Sequence, residues 1–149
     1  PMLRIPAIAI RMKAELQKEM HLIQPISSMK EVLAKLGVMY RLGIVTSNSE
    51  SNVEQFLEAN GMAFFEFVYS SSSLFGKNRV LKKLLKKRQL QRENTIYIGD
   101  ETRDVDAAQK IGIDMIAVSW GANTAEALSR LNPQHLIHHP DGLLALLSR

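Results

Sequence analysis

The chain has 149 residues, 46% hydrophobic and 23% charged, a balance that excludes general disorder and suits one globular domain. It contains no cysteine, which excludes a disulfide framework and a thiolate metal site. A formal charge of +4 favours anionic partners, phosphorylated molecules among them.

Residues 1–25 mix charged and scattered apolar side chains. They predict a helix from about Ile8 to Leu22, or an extended Leu3–Ile10, since Pro6 opposes a helix interior. Arg4 and Pro6 interrupt that apolar stretch, and spanning a bilayer takes about 20 residues. With no targeting signal, the expectation is a cytoplasmic protein with no membrane partner.

Ser28-x-x-Glu31 has the form of a capping box, followed by Met29, Val32, Leu33 and Leu36 at helical spacing and Gly37 as a stop. Arg41–Thr46 reads as a strand. Ser51-x-x-Glu54 is a second capping-box pattern, opening a helix that ends at Gly61. Phe67–Tyr69 is a short strand, and Lys77 to Arg88 a helix. The cationic run Lys82–Arg88 falls opposite Val80, Leu81, Leu84 and Leu85, as a solvated helix face does. No aromatic residues or known module accompany it, so nucleic acid is not an expected partner.

Thr95–Ile98 predicts a strand leading into Gly99-Asp100, and Thr102–Ile111 a helix stopped by Gly112. Met115–Val118 is a buried strand, Thr124–Leu131 a short helix, Leu136-Ile137 a small strand and Leu143–Leu147 a last helix. Strands alternating with helices in this way predict an α/β fold, a parallel sheet with helices on both faces. Such sheets bind ligands at the carboxyl ends of their strands.

Three strand or loop ends carry suggestive groups. Thr46 closes GIVTSNS, where its hydroxyl, the following amides and Asn48 can donate to an anion. Lys77 follows a glycine and opens a helix, where the dipole and a full positive charge act together. Asp100 and Asp104 in YIGDETRD are hard oxygen ligands suited to Mg²⁺ that also touches phosphate. Each has an ordinary structural explanation by itself, as a turn residue, an exposed lysine or a helix cap. Their order along one parallel sheet is what points to phosphate chemistry. His135, His138 and His139, with only Asp141 nearby, read as surface histidines.

That order resembles the haloacid dehalogenase superfamily. GIVT matches its second motif at Thr46, Lys77 its third, and the Gly-Asp-x-x-x-Asp of YIGDETRD its fourth. Ala117–Gly121 and the closing HLIHHPDGLLALL are similar to phosphoglycolate-phosphatase-like members. The resemblance implies a three-layer, Rossmann-like core and an aspartate that attacks the phosphoryl group to form an aspartyl-phosphate. It implies that Thr46, Ser47, Asn48 and Lys77 bind phosphoryl oxygens. It further implies that Asp100 holds Mg²⁺ while Asp104 supports the metal shell or orients Lys77.

The first motif, Asp-x-Asp-Gly-Thr, has no match: no aspartate occurs before Asp100. On this resemblance residues 1–25 are the remnant of a helical cap and 26–149 an incomplete core lacking its central N-terminal strand. Deleting a central strand opens a gap of about 10 Å between neighbours. The expectation is therefore that the sheet closes up, or that Leu3–Ile10 of this or a neighbouring copy fills the slot by strand exchange or dimerisation. The expected function is a Mg²⁺-dependent phosphatase-family domain whose parent hydrolyses a small phosphorylated metabolite, phosphoglycolate-like. The chain alone would be inactive for want of the nucleophile. The alternative is a non-catalytic, degenerate fold used for binding or oligomerisation. Nucleotide-binding folds fit less well, since neither G-x-G-x-x-G nor a Walker lysine motif is present.

Overall fold

The structure is a computed structural model describing residues 22–71 and 76–148. The predicted helix at Ile8–Leu22 and the alternative strand at Leu3–Ile10 lie outside the described residues, apart from Leu22. The chain divides into two units, Pro1–Ser72 and Ser73–Arg149.

In the first unit, helix α1 (Met29–Met39) leads into strand β1 (Leu42–Thr46). Helix α2 (Glu50–Ala59) then leads into strand β2 (Phe65–Ser70). β1 and β2 pair in parallel, with Thr46 opposite Ser70. Val32 and Leu36, one turn apart on α1, are almost fully buried, together with Met62. Gly43 makes room for a neighbour: a Cβ there would stand 2.2 Å from the Phe67 ring.

The helix starts differ from the sequence expectation. Ser28 takes a left-handed conformation, φ 59°, and its hydroxyl donates to the Ser27 carbonyl, so no capping box forms with Glu31. α1 also continues through Gly37, because the next carbonyl acceptors remain in register up to the Tyr40 amide. α2 begins earlier than Ser51 predicted. Ser49 is the cap, its hydroxyl accepting from the Asn52 amide.

The second unit contains α3 (Lys77–Arg88), β3 (Ile96–Gly99), α4 (Thr102–Ile111) and β4 (Asp114–Val118). It ends with α5 (Ala125–Ser129), β5 (His135–Ile137) and α6 (Asp141–Leu147). Its strands form a parallel sheet in the order β3-β4-β5. β4 is central, and Met115, Ile116, Ala117 and Val118 are all buried, as a parallel strand covered on both faces requires. Leu81, Leu84 and Leu85 of α3 and Val105, Ala108 and Ile111 of α4 supply the helical side of that core. Among the described residues β3 is an edge of its sheet, and its alternate residues Ile96 and Ile98 are exposed. The architecture is α/β with parallel strands connected through helices.

α4 has a true capping box. The Glu101 side chain receives the Asp104 amide and the Asp104 side chain receives the Glu101 amide. Such a cap contributes about 1 kcal/mol. Gly112 closes the helix at φ 69°, the left-handed position where glycine carries no Cβ penalty. Among the described residues, no helix is long and apolar enough to cross a membrane.

Candidate functional site

The two groups of sequence-predicted residues lie in different units. In the first, β1 ends at Thr46 and the chain turns sharply into α2. The Thr46 hydroxyl oxygen accepts the Asn48 amide at 3.0 Å. The Asn48 side-chain oxygen accepts both the Ser49 amide, at 2.9 Å, and the Asn52 side-chain amide, at 3.0 Å. Ser70, at the end of β2, donates to the Asn48 carbonyl at 2.6 Å. Asn52 is buried to 1% exposure. These bonds hold Thr46, Ser47 and Asn48 in a tight turn at a helix start, with Ser47 exposed. Asn52 was not singled out from the sequence; its position one turn into a helix after a strand end was the available signal.

In the second unit, Lys77, Asp100 and Asp104 come together. Lys77 opens α3, Asp100 follows β3, and Asp104 sits in the first turn of α4. The Lys77 ammonium pairs with Asp104 and, at 3.2 Å, with Glu101. Ligand atoms of Asp100, Glu101 and Asp104 all lie within 4.8 Å of one another. Among the described residues this is the one group of three or more acidic, histidine or cysteine side chains so placed. The histidines at 135, 138 and 139 form no such group; His138 meets Ser119 and His139 pairs with Asp141.

The three carboxylates are used differently. Asp104 is 2% exposed. One of its oxygens accepts Lys77 and the Tyr97 hydroxyl, the latter at 3.0 Å; the other accepts the Glu101 amide at 3.1 Å. Gly99 leaves the space for it, since a Cβ there would stand 2.6 Å from an Asp104 oxygen. Burial, reinforced by the charge of Asp104 and the hydrogen bond to it, pushes the Tyr97 phenol far above its ordinary range. Tyr97 therefore stays a donor.

Glu101 divides its oxygens between Lys77 and Arg103. Partial burial pulls its pKa upward, but hydrogen bonds and charge from Arg103 and Lys77 outweigh it and hold the carboxyl below its ordinary value. Asp100 is the least committed. Its Oδ2 accepts the Ala122 amide at 2.6 Å, while Oδ1 has no donor among the described residues. Its carbonyl takes the Asn123 amide, and the Asn123 side chain takes the Thr102 amide. Gly121 is a contact point here, because a Cβ would overlap the Asp100 carboxylate. Glu101, Tyr97 and the 121–123 turn are site residues that sequence reasoning missed. Tyr97 was legible only as alternating with Gly99 on one face of β3.

A family model for haloacid dehalogenase-like hydrolases matches residues 3–118. The chain belongs to the haloacid dehalogenase-like hydrolase family. Within this family it is 37% identical over 109 residues to a phosphoglycolate phosphatase of Synechococcus elongatus, covering 72% of this chain and 51% of that one. It is 28% identical to the pyrophosphatase PpaX of Bacillus mycoides, over 74% of this chain and 53% of that protein. A haloacid dehalogenase-like hydrolase from Streptococcus pneumoniae superposes with a TM-score of 0.77 at 28% identity, covering 86% of this chain and 62% of its own. The chain thus spans about half the length of the curated relatives it matches. Its α/β fold with parallel sheets is that of the family's solved members.

Proposed function

We propose that this chain is part of a Mg²⁺-dependent phosphatase whose whole protein hydrolyses a small phosphomonoester, phosphoglycolate-like, through an aspartyl-phosphate. The observation that carries this reading is the pairing of Lys77 with Glu101 and Asp104, whose carboxylates cluster with that of Asp100 at the tip of β3. An ammonium beside a metal-competent carboxylate neutralises charge on a transferring phosphoryl group, the main requirement of such chemistry.

The donor set fits Mg²⁺ at Asp100. Its free Oδ1 is a hard oxygen at a strand end, and the Gly121 contact keeps the carboxylate in place. When bound, the ion would supply Lewis-acid stabilisation of phosphoryl oxygens. Asp104 serves a different task in this reading. Its two oxygens are taken by Lys77, Tyr97 and the Glu101 amide, so it orients Lys77 and leaves direct ligation to Asp100. Lys77 binds phosphoryl oxygens in this reading.

The nucleophile is not among these residues, since no aspartate precedes Asp100. This chain alone is therefore expected to be inactive. The same observation favours a second reading, a non-catalytic member used for binding or oligomerisation. In either case the exposed β3 edge with Ile96 and Ile98 can accept a strand, from this chain or a second copy.

Hydrolysis of p-nitrophenyl phosphate with Mg²⁺ tests the reading. The expected result is no turnover by this chain and turnover by a longer gene product carrying Asp-x-Asp-Gly-Thr upstream, lost in Asp100→Asn. Turnover that survives Asp100→Asn would place the chemistry elsewhere. A longer product without that motif would favour the non-catalytic reading.

A further inference from the structure

The turn that closes over Asp100 is held from two sides. On one side the Ala122 and Asn123 amides donate to the Asp100 carboxylate and carbonyl, at 2.6 and 3.1 Å, and the Asn123 side chain accepts the Thr102 amide at 2.8 Å. On the other side Ser119, the first residue after β4, is tied to the end of β5. Its amide donates to the Ile137 carbonyl at 3.1 Å, and a hydrogen bond of 2.9 Å joins its hydroxyl to Nδ1 of His138. Only Trp120 and Gly121 separate the two anchors. His138 is exposed, yet it has no acidic partner among the described residues; Asp141, the nearest carboxylate in sequence, is paired with His139 at 3.1 Å. Gly121 lies so close to Asp100 that a Cβ there would stand 1.9 Å from Oδ2. With no slack at that contact, a shift in the start of the turn passes directly to the carboxylate.

We infer that Ser119 and His138 are a positioning pair for the Asp100 carboxylate: their hydrogen bond fixes the start of the 119–123 turn, and the turn sets the carboxylate for a divalent ion. The inference rests on the reading of Asp100 as the metal ligand and gives that site a support at the end of β5. Neither side chain is a ligand; both act through the backbone of Gly121 and Ala122. Groups beyond the ligands that orient them change metal affinity as the ligands themselves do, though less. One neutral hydrogen bond, lost at this remove, corresponds to about fivefold in an equilibrium constant.

The test uses the full chain at about pH 8, where imidazoles are neutral. It titrates Mn²⁺, reading affinity from broadening of the Asp100 and Ala122 amides, and measures hydrogen exchange at Ala122 and Asn123 without metal. Ser119→Ala and His138→Ala should each weaken Mn²⁺ binding about fivefold, and the double variant no further, since either change removes the same bond. Exchange at Ala122 and Asn123 should quicken, while exchange at the buried Ile116 of β4 stays as it was. Asparagine offers an amide oxygen close to where Nδ1 stands, so His138→Asn should restore both readouts. A bond that merely joins β4 to β5 would lower the unfolding midpoint and leave Mn²⁺ affinity alone, which overturns the inference. Additive losses in the double variant, no recovery in His138→Asn, or unchanged exchange at Ala122 and Asn123 overturn it too. Asp100→Asn separates this inference from the reading beneath it. If Mn²⁺ broadening is the same in Asp100→Asn, the metal reading of Asp100 fails, and exchange at Ala122 and Asn123 alone decides whether the pair sets the turn.

Discussion

Replacing Asp104 by asparagine removes one charge from a site where almost no water can replace it. The wild-type carboxylate is 2% exposed and accepts Lys77, Tyr97 and the Glu101 amide. Breaking a buried ion pair by removing one partner costs about 3–5 kcal/mol. Lys77 is 27% exposed and keeps Glu101 at 3.2 Å, so part of that cost is recovered by water and by the remaining partner. Asparagine also retains one acceptor oxygen for the Tyr97 hydroxyl or the Glu101 amide, but not both. The expected loss is about 2–3 kcal/mol. Urea unfolding followed by fluorescence of Trp120, the sole tryptophan, reads this directly. With a slope of about 2 kcal/mol per molar, the midpoint should fall by about 1–1.5 M. Asp106→Asn is the control, since its pair with Lys110 is more than half exposed on both sides. That variant should change stability by about 0.5 kcal/mol or less. Equal midpoints for Asp104→Asn and Asp106→Asn would refute the argument that Asp104 anchors the site.

Two further predictions concern the same cluster. Glu101 has a folded pKa held below its ordinary value, so its contribution is present above about pH 4.3 and lost as pH falls through the lower folded value. Glu101→Gln should therefore be less stable than wild type at neutral pH, with the difference vanishing in acid; a difference independent of pH would contradict this. Gly121→Ala places a methyl group where the Asp100 carboxylate stands. It should weaken Mg²⁺ binding by tenfold or more with little change in the far-ultraviolet circular dichroism spectrum; unchanged affinity by calorimetry would show that Asp100 does not need that contact.

The sequence was most legible where local chemistry and burial agree. Lys77–Arg88 and Thr102–Ile111 occupy the spans that their apolar spacing predicts, because those stripes are what the second unit buries. β4 was legible as a continuous apolar run for the same reason. Helix starts were less so. Ser28 and Ser51 both satisfy the capping-box pattern, yet one takes a left-handed turn and the other is bypassed by Ser49. A serine can cap, donate to its neighbour or face water, and composition does not choose among them. The box at Glu101 and Asp104 uses carboxylates, so the hydroxyl pattern did not find it.

At the candidate site, Lys77, Asp100 and Asp104 were legible from motif order, whereas their division of labour was not. It depends on Tyr97 reaching Asp104 from β3, on Glu101 bridging Lys77 and Arg103, and on the 121–123 turn closing over Asp100. These are contacts between elements, and no spacing along the chain encodes them.

Divalent-ion binding at Asp100 is the claim on which the rest turns. Mn²⁺, added in place of Mg²⁺, broadens the resonances of nearby amides. In the wild-type chain the strongest broadening should fall on Gly99, Asp100, Glu101 and Ala122, and Asp100→Asn should abolish it. Broadening centred on other residues, or unchanged in Asp100→Asn, would contradict a metal-assisted phosphate site at the end of β3.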